Sequence, residues 1–258
     1  MLRFFLVLLL LTSTQAFAGE IIRPEFFTAT YNVHYKGFNA GTITFELRPA
    51  DDGTVIYESS VKPGFLANFV VSRDAIERTV LQIDAHGVRP LRWYSEDGTA
   101  DTKDDGQLTF DWAAREVTGT VEDKTVALAT ETGLQDRLSM QVAMLTALLR
   151  GETPGTVMMI DEDRIKHYSY ERKSEQQVEV AGGEYATIVY ESTRPGSSRF
   201  KRIYHAPALG YLPVRFENYK DSNLQTVMEL VAVTPASGAG PDLTRSRAGQ
   251  GHPDGDRP

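Results

Sequence analysis

The sequence predicts a mainly β protein: a large curved antiparallel sheet or open barrel with one central apolar α-helix packed in its concavity. Two observations lead to this fold class. Runs of alternating apolar and polar residues recur from Phe26 to Val233, with the period of strands that bury one face. One stretch, Leu134 to Arg150, instead repeats apolar residues every three or four positions, which is the helical period. No other helical pattern separates the strands, as an alternating βαβ protein would require.

The strands follow in order from the alternation and from the turn residues between them. Tyr31, Val33 and Tyr35 alternate with polar neighbours, and a turn signal from Asp51 to Gly53 precedes another apolar run. Further strands are predicted at Ile43 to Leu47, Val55 to Tyr57, Ile76 to Ile83, Val88 to Tyr94, Leu108 to Trp112, Glu116 to Val121, Tyr168 to Val180, Tyr185 to Glu191, Phe200 to Tyr204, Leu212 to Phe216 and Thr226 to Val233. With shorter runs included, the total is about a dozen strands. A sheet of that size curls or closes instead of lying flat.

The predicted helix covers Leu134 to Arg150. Thr132 and Gln135 have the spacing of a capping box, and Gly151 followed by Pro154 is a stop signal. One apolar face is formed by Leu134, Leu138, Val142, Leu145 and Leu149. Met140, Met144 and Leu148 make this face wider. Burying five such side chains contributes on the order of 10 kcal/mol before entropy is subtracted. We therefore expect the sheet to cover this helix.

Both ends of the chain are predicted to lie outside the fold. Residues 1–18 carry the early positive charge, the short apolar run and the Ala16-Phe17-Ala18 cleavage site of a secretory signal peptide. The apolar run is far shorter than the about 20 residues of a membrane-spanning helix, so no transmembrane segment is expected after cleavage. Residues 235–258, rich in Gly, Pro and charge, are predicted to form a disordered tail. One β-rich domain at 19–234 remains, and its predicted location is the periplasm of a Gram-negative host.

Composition excludes several classes of protein. The 258 residues contain no cysteine, which excludes disulfides, thiolate metal sites and a thiol nucleophile. Lys and Arg number 27 against 35 Asp and Glu, a formal net charge of -8, and no basic tract is present. Because phosphate binding needs clustered cations, no nucleic-acid partner is expected.

No catalytic motif is found in the sequence. The nucleophile elbow, the Ser-x-x-Lys motif and the phosphate-binding glycine loop are absent, and the five histidines lack metal-ligand spacing. We expect no catalytic residues, no cofactor and no metal site, and the sequence favours a non-enzymatic role. His34 and His205 could share a site only through the fold. The acidic loop from Glu96 to Asp105 could offer oxygen atoms to calcium, but Lys103 lies within it and its spacing is not that of an EF-hand. A solvated hairpin end is the expected structure, and its role stays open.

Three stretches of landmark residues are typical of one family. They are Tyr31 to Gly41, Leu134 to Ser139, and Tyr204 to Pro207 continuing into Tyr211 to Arg215. On these residues the chain resembles the bacterial exported family of unknown function DUF3108 over most of its length. The resemblance implies an exported, β-rich, uncharacterised protein and supplies no catalytic residues. By its inferred architecture the chain is also similar to periplasmic lipoprotein carriers, in which a half-open barrel holds a lipid beneath a helical lid, although a fold does not imply a function.

One apolar stretch, Gly64 to Val71, has two interpretations. It is either a buried strand or short helix of the core, or an apolar loop at the mouth of the concavity that contacts a ligand. On the second interpretation, the candidate ligand-binding residues are Phe65, Leu66, Phe69, Met140 and Met144. Composition alone does not decide between a packed barrel and a hollow one.

Two functional hypotheses follow. The first is a soluble periplasmic binding or carrier protein for an apolar or amphipathic ligand such as a lipid; it predicts an internal cavity lined by contiguous apolar side chains. The second is an interaction module of cell-envelope assembly that binds protein or glycan through strand edges or loops; it predicts a filled interior and an exposed apolar patch of several hundred Å². A third, an unrecognised hydrolase, requires ionisable groups that converge in a cleft.

Overall fold

The computed structural model describes residues 21–64, 75–99 and 101–236. Within these ranges the predicted fold class is confirmed: a large curved antiparallel sheet that does not close, with one α-helix in its concavity. The elements are β1 (Phe27–Tyr35), β2 (Phe38–Pro49), β3 (Val55–Pro63), β4 (Ile76–Asp84), β5 (Gly87–Glu96), β6 (Gly106–Asp111), β7 (Glu116–Val121), β8 (Lys124–Ala129), α1 (Ser139–Leu149), β9 (Thr156–Asp161), β10 (Arg164–Val180), β11 (Gly183–Thr193), β12 (Arg199–Ala206), β13 (Leu212–Lys220) and β14 (Asn223–Pro235).

The fourteen strands form one sheet in the order β8-β7-β6-β5-β4-β3-β2-β1-β14-β13-β12-β11-β10-β9. Strands that follow one another in the chain are hydrogen-bonded neighbours, except that α1 carries the chain from β8 at one edge to β9 at the other. The last strand returns to pair with β1 in the middle, in a register that places Phe27 opposite Pro235. The two halves of the chain therefore form the two halves of the sheet.

The sheet curls until its two edge strands approach each other, and the segment before α1 joins them. The backbone N–H of Gln135 donates to the carbonyl of Met158 at 3.0 Å, and the Gln135 carbonyl accepts from the N–H of Ile160 at 2.9 Å, which makes a short parallel bridge to β9. Beside it, Lys124 of β8 pairs with Glu162 after β9 at 3.2 Å. The edge of β9 is thus covered in part by its own chain.

The helix begins at Ser139, later than the predicted start at Leu134, and the predicted capping box is wrong. Gln135 does not cap the helix, because its side-chain amide donates to the carbonyl of Val88 at 2.9 Å. Asp136 does so instead: one carboxylate oxygen accepts the backbone N–H groups of Leu138 and Ser139, both at 2.8 Å. The Ser139 hydroxyl in turn accepts the N–H of Asp136 at 2.9 Å. The cap is reciprocal, but it lies four residues beyond the predicted position.

The helix ends where the stop signal predicts. Gly151 adopts φ +73°, and its N–H donates to the carbonyl of Leu148 at 3.0 Å. The N–H of Glu152 donates to the carbonyl of Ala147 at 2.9 Å. These two bonds are the Schellman arrangement, which satisfies the last carbonyl groups of a helix.

The helix packs into two groups of apolar side chains. Leu138, Val142 and Leu145 join the main core beneath the central strands, and Met144 and Leu148 join a second group with Tyr170, Tyr190 and Ile203. A third cluster, which contains Leu134 from the segment before the helix, lies between β5–β8 and β9: Trp93, Leu108, Phe110, Val117, Val121, Val126 and Ile160. Because apolar residues occur around most of α1, the helix needs cover on several sides, and the curled sheet provides it.

Several predicted features lie outside the described residues. The predicted signal peptide, residues 65–74 with Phe65, Leu66 and Phe69, and residues 237–258 of the predicted tail belong to this group. The strand β14 extends to Pro235, and Ala236 is buried. No helix in the described ranges has both the length and the hydropathy needed to span a bilayer.

We expect the buried Asp136 carboxyl to make stability fall as pH rises from about 4 to about 6. Burial away from water raises the pKa of Asp136 from 3.8 to about 6, against the opposing hydrogen bonds from Ser139 and Thr79. Between these values the folded protein retains a proton that the unfolded chain has released, so ionisation favours unfolding. The free energy of unfolding should fall by roughly 3 kcal/mol, since one pKa unit corresponds to about 1.4 kcal/mol.

Urea unfolding of the wild type and of Asp136→Asn across this pH range measures the effect. The variant keeps an oxygen acceptor but cannot ionise, so the difference between the two free energies of unfolding should change by roughly 3 kcal/mol. Parallel pH profiles would contradict the assignment of this pH dependence to Asp136.

A close backbone approach predicts that Gly41 cannot be replaced. Gly41 adopts φ +117°, and a Cβ there would lie 2.2 Å from the carbonyl oxygen of Lys62 on β3. Gly37, in the turn before β2, also has a positive φ (+83°) but faces open space. In urea unfolding, Gly41→Ala should lower the free energy of unfolding by about 3 kcal/mol or more, and Gly37→Ala by about 1 kcal/mol. Equal losses would show that the contact with β3 is unimportant.

Candidate ligand-binding cavity

A cavity of about 700 Å³ lies between α1 and the inner face of the sheet. Ten of the fourteen strands contribute to its wall, β1–β4 and β9–β14. Part of the wall is α1 with Arg137, which precedes it, and another part is the concave face of β12, β13 and β14. The curvature of the sheet therefore creates the cavity, and the helix stops the sheet from collapsing onto itself.

Three aromatic rings from adjacent strands form the part of the wall built by β1, β2 and β3. Tyr31 meets Phe45 edge to face at 5.8 Å between ring centroids, and Phe45 stacks on Tyr57 at the same distance. The Tyr31 hydroxyl donates to the carbonyl of Pro213 at 2.8 Å, and the Tyr57 hydroxyl to the side-chain oxygen of Gln141 at 3.1 Å. Burial raises the pKa of both phenols, so they stay neutral. Their polar ends are satisfied, and the rings are left as apolar surface.

Methionine forms much of the remaining apolar wall. The sequence has six methionines, and four line the cavity: Met140 and Met144 from α1, Met159 from β9 and Met228 from β14. The hydroxyl of Tyr170 lies 3.1 Å from the sulfur of Met140. Methionine is unbranched and polarisable, so such a wall can adapt its shape to an apolar guest.

The cavity also has a charged end, where carboxylates are held by cations. Glu77 pairs with Arg137 at 3.3 Å and accepts the indole N–H of Trp93 at 2.8 Å. Asp161 accepts from Lys166 at 2.7 Å.

A tyrosine completes this charged end. The Tyr168 hydroxyl donates to Asp161 at 3.0 Å. Burial opposes ionisation of Asp161, but the bonds from Lys166 and Tyr168 outweigh it and lower its pKa. Burial and the adjacent carboxylate raise the pKa of Tyr168 to about 12, so it acts as a neutral donor.

Three further cations line this end of the cavity: Arg194, Arg199 and Lys201. Their side chains have no carboxylate within ion-pair distance and no hydrogen-bond acceptor among the residues that the structure describes. The Lys201 ammonium lies 5.7 Å from the centre of the Phe216 ring. Burial lowers the pKa of Lys201, while the carboxylates of Asp161 and Glu77 act in the opposite direction.

His205 lies at the other, more deeply buried end of the cavity lining. Its Nδ1 bonds to the carbonyl of Tyr211 at 2.7 Å, which makes Nδ1 the protonated nitrogen of a neutral ring. Burial lowers the pKa of His205 to about 4. Its Nε2 is buried with no hydrogen-bond partner in the described ranges. Neither a carboxylate nor a hydroxyl bonds to this imidazole there, and His34 does not line the cavity.

The sequence-predicted site residues fall into two groups. Met140 and Met144 line the cavity together, and Phe65, Leu66 and Phe69 lie outside the described residues. Met159, Met228, the aromatic wall and the three cations were not predicted from the sequence. A signal for the cations was present: Arg199, Lys201, Ile203 and His205 alternate along one strand face, but charged residues on a strand usually indicate a solvated face.

No described residue of the acidic loop lines the cavity. The carboxylates of Asp97, Asp101 and Asp105 accept backbone N–H groups of the same loop, as in the bond from Asp97 N–H to Asp105 at 3.1 Å. Across the described ranges, no group of three or more His, Asp or Glu side chains could hold a metal ion.

The comparisons with known proteins identify a family and give no activity. A β-barrel-like protein of domain-of-unknown-function family DUF1849 from Brucella abortus is 10% identical, with 82% of this chain and 98% of that chain covered and a TM-score of 0.48. A chain of the MucA/MucB complex of Pseudomonas aeruginosa is 13% identical, with 87% and 56% covered and a TM-score of 0.37. With both TM-scores below 0.5, neither similarity says what this chain binds. No curated protein matches the chain.

The family model described as protein of unknown function (DUF3108) matches residues 30–230. The match contains all three stretches of landmark residues, including the segment from Leu134 to Ser139 that joins the sheet edges and caps the helix. It spans nearly the whole of the sheet from β1 to β14. The chain belongs to the DUF3108 family of proteins of unknown function.

Proposed function

We propose that this protein is a periplasmic binding or carrier protein that holds an apolar or amphipathic ligand, such as a lipid, between α1 and the curved sheet. One observation carries the proposal: a cavity of about 700 Å³ whose lining includes contiguous aromatic and methionine side chains. This is the property that separates the carrier hypothesis from a module with a filled interior.

The size of the cavity supports a ligand larger than a few water molecules. Protein interiors are close-packed, and voids larger than a water molecule are few in a domain. A cavity of roughly 150 Å³ holds one benzene ring, and sites for small molecules usually measure about 300–1,000 Å³. The cavity falls within that range, so a lipid chain or a molecule of similar size is the appropriate class of ligand.

The lining supports a ligand with a variable apolar part. Four methionines and three rigid aromatic rings line the cavity. A wall of this kind excludes water from an apolar guest without demanding one fixed shape. It fits a carrier of chains that differ in length or unsaturation.

The proposed location and one part of the proposed site rest on the sequence. The signal peptide predicted at residues 1–18 supports export to the periplasm. Phe65, Leu66 and Phe69 belong to the connection between β3 and β4, and both strands contribute to the cavity wall through Tyr57 and Glu77. We therefore include these three residues in the proposed ligand contact.

A second candidate function is a module of cell-envelope assembly that binds protein or glycan. It is favoured by an exposed apolar patch at two adjacent hairpin tips, which we call the tip patch: Tyr35, Phe38 and Leu224, with 50%, 69% and 41% of their surface exposed. The tips are joined by the bond from the Lys36 N–H to the Gln225 carbonyl at 2.7 Å. If this function is the correct one, Phe38→Ser should abolish partner capture in periplasmic cross-linking while leaving the fold intact.

The carrier function predicts that a lipid co-purifies with the protein. Native mass spectrometry of the protein isolated from its own periplasm should reveal an added mass at near-unit stoichiometry, because a ligand whose apolar part is buried in the cavity leaves slowly. Solvent extraction and lipid analysis then identify it. If the ligand-free mass is found and added lipid does not bind, the carrier function is contradicted.

Filling the cavity should block binding, and a matched substitution provides the control. Met140→Trp places a large ring in the lining, whereas Met158→Trp makes the same change at a half-buried position of β9 that packs against the Trp93 cluster instead. We expect calorimetry with dodecyl maltoside below its micelle concentration to show an affinity lower by about tenfold or more for Met140→Trp. Met158→Trp should bind like the wild type, and equal losses in both variants would contradict the proposed site.

A further inference from the structure

The cavity has a gradient of polarity along strand β12. Four residues at every second position line it: Arg199, Lys201, Ile203 and His205. At about 3.3 Å per residue these positions span roughly 20 Å. Arg199 is exposed, Lys201 is half-buried, and Ile203 and His205 are buried. Along β12 the cavity wall therefore changes from charged and solvent-exposed to neutral and buried. A ligand that matches this wall carries its charge at one end only.

The ionisable side chains that line the cavity carry a net positive charge. Five cations line the cavity, Arg137, Lys166, Arg194, Arg199 and Lys201, against three carboxylates, Glu77, Asp161 and Glu162, which gives 5 − 3 = +2. The carboxylates are held by Arg137 and Lys166. The other three cations are left without an ion pair among the described residues, in a chain whose formal net charge is -8. A cationic site in an acidic protein selects anions both by attraction and by repulsion of anions elsewhere on its surface.

Lys201 is the central cation of this group. It lies between exposed Arg199 and buried Ile203 on the cavity face of β12, with Phe216 of β13 beside its ammonium group at 5.7 Å. Its neighbours across the strands are Ser192 and Asn218, which also line the cavity. A half-buried ammonium without a carboxylate within ion-pair distance is only partly hydrated, and an anionic ligand group would compensate for the lost hydration.

We propose that the cavity binds a single-chain amphiphile with an anionic head group, a phosphate or a carboxylate, with the head at Lys201 and the chain among the cavity methionines. Arg194 and Arg199 lie on the solvent side and contact the same head group. Ser192 and Asn218 offer neutral hydrogen bonds to its remaining oxygen atoms. This inference rests on the proposed function and adds the class of ligand and its direction in the cavity.

Calorimetry on the full chain with four probes tests the head group and the chain separately. The probes are dodecyl phosphate, uncharged dodecyl maltoside, dodecyltrimethylammonium and inorganic phosphate, each below any micelle concentration. We expect dodecyl phosphate to bind about tenfold or more tightly than dodecyl maltoside, and the cationic amphiphile to bind more weakly than both. Inorganic phosphate should not compete, because it lacks the chain.

Substitutions test which residues cause the preference for dodecyl phosphate over dodecyl maltoside. Lys201→Met should reduce the preference for dodecyl phosphate over dodecyl maltoside to about twofold or less, without weakening the binding of dodecyl maltoside. The same substitution at exposed Lys103, which pairs with Asp101 in the acidic loop outside the cavity lining, should leave the preference intact. The double variant Arg194→Gln with Arg199→Gln should reduce this preference in part. If thermal unfolding shows that Lys201→Met is not folded, the double variant is used in its place.

Each contrary result has a separate meaning. If dodecyl maltoside binds as tightly as dodecyl phosphate, or if Lys201→Met and the double variant both keep the preference, the head-group site is wrong while the carrier function stands. If inorganic phosphate competes at the affinity of dodecyl phosphate, the site binds an anion without a chain, and the inference is overturned. If no dodecyl amphiphile binds, both the carrier function and this inference fail.

Discussion

The fold depends on three consecutive residues that tie the sheet to itself and to the helix. Gln135 bridges to the edge strand β9 through its backbone and to β5 through its side chain. Asp136 caps α1 and accepts a hydrogen bond from the Thr79 hydroxyl of β4 at 2.7 Å. Arg137 pairs with Glu77 of the same strand and lies 4.9 Å from the centre of the Trp93 ring. One short segment thus fixes how far the sheet curls and where the helix lies, and the volume of the cavity follows from both.

The same arrangement explains why one sheet encloses both a packed apolar cluster and a cavity. On β9, Met158 and Ile160 pack into the cluster around Trp93, whereas Met159 and Asp161 face the cavity. The alternation of a single strand therefore separates a filled core from a hollow one. The packed cluster around Trp93 and the bridge at Gln135 hold the two edges of the sheet together. The rest of the sheet can therefore enclose a cavity without collapsing onto itself.

The sequence was sufficient to predict the fold class, most strands and the end of the helix, because strand alternation and the glycine stop at Gly151 are local signals. It misplaced the helix start because Thr132 with Gln135 and Asp136 with Ser139 have the same spacing. The structure uses the second pair, since the Gln135 side chain bonds to Val88 instead. The short edge strands β8 and β9 were not predicted individually. The cavity depends on side chains from ten strands and the helix, so no local pattern could reveal its full lining or its cationic end.

The central claim is that an apolar chain occupies the space between α1 and the sheet. Methionine-methyl NMR tests it directly, since Met140, Met144, Met159 and Met228 line the cavity and Met158, adjacent in sequence to Met159, packs elsewhere. On titration with dodecyl maltoside, we expect the four cavity methyl signals to shift together and the Met158 signal to stay in place. Shifts that are equal at all five residues, or absent at the four, would contradict it.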